Sequence, residues 1–319
     1  MNKIRLTPYL FIPLLITLLL LAACGNNNDN DNETSENDDT EENTEITVES
    51  EMGEVKLPAN AERVIAPFHE DSLIALGITP VAKWAIGETS QGYLEDDLQD
   101  IESIEWSMPL EQVLNHDPEL IILENGLDSY EGSYEEYTAI APTYVMTEEE
   151  TREWKPQLEK FGEILGKEAE AKQALADYET KVQETNEALQ DIIGDETMAM
   201  MWVTGGNYFL FEKERHSADM IYSELDVNVP TLVEELGETE ASWDPISLEK
   251  LSELDADHVI ILGYETDEGI ETLNNSNVWN NTTAVQNDQV YYIEDESNWT
   301  GGGLIAAEQT MDMLIEILE

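Results

Sequence analysis

The chain is poor in cysteine, in positive charge and in histidine, and each shortage closes off a class of function. It has one cysteine, Cys24, in 319 residues. A single thiol makes no disulfide framework and no multi-thiolate zinc or iron–sulfur site. Lysine and arginine number 14 against 71 aspartates and glutamates, a formal charge of −57. Phosphate-backbone binding needs clustered Lys and Arg, so no nucleic-acid partner is expected. The four histidines, His69, His116, His216 and His258, are scattered. A zinc or manganese receptor wants about three histidines and a carboxylate, which makes a free-metal receptor the weaker alternative. There is no Gly-x-Ser-x-Gly elbow, no His-Glu-x-x-His and no full phosphate loop around Gly205-Gly206. No enzymatic activity is expected on those grounds.

What is present is enough to fold. The hydrophobic fraction is 41%, and the length leaves room for two domains with sizeable cores. A uniformly acidic surface stays hydrated where salt screens its repulsion. We read it as a mark of a salty or alkaline habitat rather than of the ligand.

Residues 1–23 have the layout of a secretion signal: Lys3 and Arg5, an apolar run from Leu10 to Leu21, then small residues. The run is short for a bilayer span and Pro13 interrupts it. The order Leu21-Ala22-Ala23-Cys24 resembles the bacterial lipobox. That resemblance implies cleavage before Cys24 and a diacylglyceryl thioether on it. Two acyl chains would give a stable anchor at about 0.8 kcal/mol per buried methylene. Residues 24–45 are then the lipidated cysteine and an acidic tether without hydrophobic period, expected to be disordered. Some 20 residues span about 70 Å when extended.

The body alternates short helical patterns with apolar strands, such as Leu120-Ile121-Ile122-Leu123 and Val259-Ile260-Ile261-Leu262. Such runs fit parallel sheets covered on both faces. We expect an α/β fold of two Rossmann-like lobes, 46–150 and 194–319. One long helix over 151–193 joins them, and the ligand cleft lies between them. Ala171, Leu175, Tyr178, Val182, Leu189 and Ile192 carry the helical period, and Gly166 marks a bend or break. A short internal repeat supports matched lobes. Leu110-Glu111 precedes Asp117 and Leu120-Ile121-Ile122, and Leu248-Glu249 precedes Asp255 and Val259-Ile260. The glutamate-to-aspartate step is six in both copies (111 to 117, 249 to 255).

Several phrases in this order resemble the iron–siderophore binding proteins of bacterial ABC importers. They are Leu57-Pro58 with Arg63-Val64-Ile65, Ala75-Leu76-Gly77-Ile78-Thr79-Pro80-Val81, the two Leu-Glu repeats, and Val278-Trp279-Asn280 with Gln289-Val290-Tyr291. The resemblance covers nearly all of 46–319, and the hydroxamate and hydroxamate–citrate receptors of Gram-positive bacteria are the most similar. It implies a monomeric receptor with no intrinsic cofactor. Such a receptor sits at the outer face of the cytoplasmic membrane on a lipid anchor. It would carry a ferric siderophore to an ABC permease dimer. A haem or cobalamin receptor on the same scaffold is the alternative.

A ferric siderophore is already coordinatively saturated, so the receptor needs aromatic walls and a few donors rather than metal ligands. Ligands of open α/β sheets sit at the carboxyl ends of the strands. The candidates there are Phe68, His69, Trp84, Asn125, Tyr208, Arg215, His216, Trp243 and Trp299. By resemblance, Arg215 faces the ligand and Trp299 forms an aromatic wall. Each type has an ordinary alternative. A tryptophan packs a core, an arginine in so acidic a chain makes a salt bridge, and a loop histidine is merely polar. Glu111 and Glu249 are, by resemblance, the docking contacts for the two permease subunits. Their ordinary alternative is a carboxylate favoured by a helix N-terminus.

Overall fold

The computed structural model describes residues 45–239, 242–264 and 266–319. The signal segment, Cys24 and the tether before Glu45 lie outside them. No helix among the described residues is long and apolar enough to cross a membrane.

The first strands, β1 (Glu45–Ser50) and β2 (Gly53–Pro58), form an antiparallel hairpin. Gly53 stands at φ +91°, the left-handed region that a tight turn needs. The hairpin docks on the next sheet through the Glu51 N–H, which donates to the Val145 carbonyl at 3.0 Å.

The N-terminal lobe holds a parallel sheet of order β3 (Val64–Ile65), β6 (Leu120–Leu123), β7 (Thr143–Val145). Every residue of β6 is buried, which is why it reads as a continuous apolar run. Helix α1 (Glu70–Ala75) follows β3, and α2 (Leu110–Asn115) leads into β6. A second, two-stranded parallel sheet pairs β4 (Lys83–Ala85) with β5 (Ser103–Glu105). The C-terminal lobe holds the sheet β11 (Val290–Ile293), β10 (His258–Leu262), β8 (Met198–Thr204), β9 (Asn207–Leu210). Its first three strands are parallel and β9 is antiparallel to β8.

The joining segment has the break expected at Gly166 and a second one ahead of it. A short helix at Glu148–Arg152 ends where Glu153 turns extended, and α3 (Trp154–Ile164) starts there, with Pro156 in its first turn. Gly166, at φ +66°, then ends α3 and admits α4 (Glu168–Ile192). Helix α3 packs on the N-terminal lobe, where the Gln157 amide donates to the Ser72 hydroxyl at 3.0 Å. The joining rod is therefore α4 alone, 25 residues or about 37 Å. Its buried positions are Ala171, Tyr178, Thr185 and Leu189. Spaced by seven, seven and four, they make one narrow stripe along the rod. The last helix, α5 (Leu304–Leu318), packs against it.

The internal repeat has a structural counterpart. Glu119 and Asp257 each lie eight positions after the repeat's glutamate (111 to 119, 249 to 257). The Glu119 carboxylate accepts the N–H groups of Glu62 and Arg63 at 3.0 and 3.2 Å, just before β3. The Asp257 carboxylate accepts the Thr197 N–H at 2.9 Å, just before β8. In both lobes the carboxylate residue and the one after it donate their N–H groups to that incoming residue, Arg63 or Thr197. Backbone donors at the entering edge of a sheet have no ladder partner, and one carboxylate per lobe supplies it.

Candidate functional site

In the N-terminal lobe the chain leaves β3 through Ala66-Pro67 and places Phe68 at φ +69°. A bulky residue in the left-handed region is strained and persists only where its surroundings hold it. Two contacts do so: the His69 N–H donates to the Ala66 carbonyl at 3.0 Å, and the Gln91 amide donates to the Phe68 carbonyl at 3.2 Å. The Phe68 ring stays 38% exposed. It meets Trp84 of β4 edge-on, centroids 5.0 Å apart. The Trp84 N–H donates to the buried Glu70 carboxyl at 2.6 Å, which fixes the strand carrying the indole. Ile86 and Trp106 follow β4 and β5 at the same sheet end and are 52% and 42% exposed. Asn125, just past β6, is exposed. His69 is buried instead, with Nε2 2.9 Å from the Glu124 carboxylate and its ring edge against Phe161. It orients Glu124 rather than opening onto solvent.

The C-terminal lobe gathers a second aromatic group around the β8–β9 hairpin. Trp243 packs against Trp202, Phe209 and Phe211, with centroids 5.5, 6.0 and 4.9 Å away. His216 stacks on Trp243 at 5.8 Å and 18°. It too is left-handed, at φ +45°. Its imidazole is exposed yet ringed by protein. That surrounding, and then the Arg215 charge, hold it down to about 4, so it is neutral at physiological pH.

Three further candidates are, like His69, turned into the protein. Arg215 does not face solvent: it is 4% exposed and its guanidinium lies 4.2 Å over the Trp243 ring. It forms a two-pronged ion pair with Glu212 and donates to the Ser242 carbonyl at 3.1 Å. A planar fork costs too much to bury unpaired, and here it holds the 242–243 segment in place. Tyr208 is buried, its hydroxyl donating to the Gly269 carbonyl at 3.0 Å. Trp299 is fully buried, its indole N–H directed at the Met313 sulfur at 3.3 Å. Gly301 to Gly303 allow a sharp turn beyond it, but that turn folds Trp299 inward and builds no wall.

The structure also shows a contact between the lobes that the sequence did not reveal. The buried Asp71 carboxylate accepts the N–H groups of Ile305 and Ala306, at 3.1 and 3.0 Å, in the first turn of α5. Gly303 is required there, because a Cβ would stand 2.2 Å from the Asp71 carboxyl carbon. Beside it the Tyr93 N–H donates to the Ser297 hydroxyl at 2.9 Å, and the Gln309 amide donates to the Tyr93 carbonyl at 3.0 Å. Tyr93, Leu94, Leu98 and Ala306 form a small apolar cluster across this seam. Gln91 links the seam to the Phe68 carbonyl. Burial is the main cause that raises Asp71 to about 6 and Glu70 to about 8.

Glu111, in the first turn of α2, and Glu249, preceding the 3-10 turn Lys250–Glu253, are both exposed, one on each lobe. The histidines are engaged separately, His258 with Glu196 and Tyr291. Among the described residues no group of three or more His, Cys, Asp or Glu is placed to hold a metal ion.

Residues 64–297 match the periplasmic binding protein family. The chain belongs to that family. Two proteins of Bacillus subtilis (strain 168) are similar to it. The iron(3+)-hydroxamate-binding protein YxeB is 24% identical over 293 residues, covering 89% of this chain and 88% of its own. The probable siderophore-binding lipoprotein YfiY is 26% identical over 315 residues, covering 93% and 94%. Among solved structures, one is a FhuD-fold periplasmic binding protein component of a Fep/Fec-like ferrichrome ABC transporter, also from Bacillus subtilis. It superposes with a TM-score of 0.70 at 23% identity, covering 85% of this chain and 99% of its own. The two-lobe α/β fold is thus the family's. Periplasmic binding proteins bind and hand over a substrate rather than convert it.

Proposed function

We propose that this periplasmic binding protein takes up a ferric siderophore of the hydroxamate or hydroxamate–citrate type outside the cytoplasmic membrane and delivers it to an ABC importer. The observation that carries the reading is the pair of aromatic groups, one per lobe. Phe68 with Trp84, and Trp243 with its neighbours, offer apolar faces at strand ends, while the described residues offer no cluster of ligands for a bare metal. A wrapped iron complex needs the former and not the latter. The names of YxeB and YfiY support the same ligand class.

In this reading a diacylglyceryl thioether on Cys24 holds the monomer at the membrane, and residues 25–45 are its tether. Glu111 and Glu249 meet the two permease subunits, and opposite charge there sets approach and register. The direct test is titration of tryptophan fluorescence with ferric hydroxamates, ferric citrate, ferric catecholates and haem. Saturable quenching by a hydroxamate is expected. If no hydroxamate quenches while haem or a catecholate binds tightly, the ligand assignment is overturned.

A further inference from the structure

We infer that the site selects its ferric complex by charge, accepting neutral and cationic complexes and rejecting anionic ones. The inference rests on the ferric-hydroxamate reading and narrows it: a hydroxamate–citrate chelate of Fe(III) is anionic, so the charge rule retains the hydroxamate class and drops the hydroxamate–citrate one. Eight of the described strands (β3, β4, β5, β6, β7, β8, β10 and β11) pair in parallel, and ligands of such sheets sit beyond the carboxyl ends of the strands. The two residues after each of them include no Lys and no Arg. They do include Glu124 after β6 and Glu294-Asp295 after β11. Glu124 is partly exposed beside His69. Glu294 and Asp295 are exposed. Asp295 faces the opposite lobe, with an oxygen 2.9 Å from where a Cβ on Gly92 would stand.

The nearest cations do not offset these charges. Arg215 is spent on Glu212 and Trp243. The exposed Lys213 lies between Glu212 and Glu214, so the segment 212–215 sums to zero. Lys83 of β4 turns away to the Leu98 carbonyl, 2.9 Å from its Nζ. His216 is held neutral by its surroundings. What remains is aromatic faces, which attract cations, framed by three carboxylates. A trihydroxamate wraps Fe(III) into a neutral core, so a pendant group alone sets the complex's charge. Three carboxylates at about 8 Å in a water-like dielectric shift affinity by about tenfold per unit of ligand charge. At 1 M salt the screening length is about 3 Å and the preference collapses.

The experiment uses one ferric trihydroxamate in three forms that differ only far from the iron. They are ferric desferrioxamine B with its free ammonium, its N-acetyl derivative, which is neutral, and its N-succinyl derivative, which is anionic. Affinities for the full-length protein are measured by fluorescence titration at low salt and at 1 M. The expected order is cation, neutral, anion, with about tenfold between steps at low salt and less than about twofold at 1 M. The double variant Glu294→Gln with Asp295→Asn, and separately Glu124→Gln, should narrow the low-salt spread. Glu184→Gln, on the exposed face of α4, should leave it unchanged. Equal affinities, or tightest binding of the succinyl form, overturn the charge rule while leaving hydroxamate binding intact. An unchanged spread in both strand-end variants overturns its assignment to these carboxylates. No binding of any of the three overturns the ligand reading and this inference with it.

Discussion

Replacing Glu70 by glutamine should stabilise the protein, and only at neutral to alkaline pH. Glu70 has no exposed surface, and one carboxyl oxygen accepts the Trp84 N–H while the other has no hydrogen-bond partner. Desolvation raises it from 4.5 to about 8, against the opposing pull of backbone donors. The folded state therefore binds this proton more tightly than the unfolded chain does. Folding takes up the proton between those two values, so stability falls as pH rises from 4.5 towards 8 and stays low above it. Each tenfold in proton affinity is about 1.4 kcal/mol. The full interval sets a ceiling near 5 kcal/mol, and the new amide N–H groups, lacking partners, return part of it. We expect Glu70→Gln to gain about 2–4 kcal/mol at pH 9, or about 4–10 °C in Tm for a body of this size, and no gain at pH 5, where the unpartnered amide leaves it equal or less stable. Melting curves of both proteins at pH 5, 7 and 9 give the answer as a difference of differences. The self-repulsion of a chain at −57 cancels in that quantity. A gap that does not depend on pH, or a wild type that gains on the variant as pH rises, would refute the reasoning.

Two further perturbations test the seam and the docking faces. Asp71→Ala should orphan the Ile305 and Ala306 N–H groups at the start of α5, costing about 2–4 kcal/mol at pH 7. Hydrogen exchange should speed up first at those two amides and at Tyr93, and uniform acceleration across the lobe would count against a local seam. Reversing charge at the exposed Glu111 and Glu249 should leave siderophore affinity unchanged and abolish uptake by cells, and normal uptake would remove the permease role.

Strand and helix placement was legible wherever local chemistry decided it alone. The strands Leu120–Leu123 and His258–Leu262 fall where the apolar runs predict them, because a strand buried on both faces has only one way to be written. The joining rod was legible as one connecting helix with a break at Gly166; the further break at Glu153 was not, because there only backbone conformation separates the pieces. The short pair β4–β5 was missed because three residues carry no period. Of the aromatic positions proposed at strand ends, Phe68, Trp84 and Trp243 remain at least partly exposed. The sequence misjudged Arg215 and Trp299 because residue type does not say which way a side chain turns. Abundance also hid the decisive carboxylates. Glu70 and Asp71 look like any of the 71 acids, yet one anchors the strand of Trp84 and the other caps a helix of the opposite lobe.

That last pair explains how the two lobes can act as one receptor. Phe68 and Trp84 belong to one lobe, Trp243 to the other, and a ligand gripping both feels whatever fixes their separation. Helix α4 fixes it on one side. On the other, Asp71 and Tyr93 tie the N-terminal lobe to Ser297, Ile305 and Ala306, and Gln91 extends that tie to the Phe68 carbonyl. The strained backbone at Phe68 is thus held by the same segment that closes the seam. Loosening the seam should release Phe68 before it unfolds either sheet, so Asp71→Ala ought to weaken ligand binding at temperatures where both lobes remain folded.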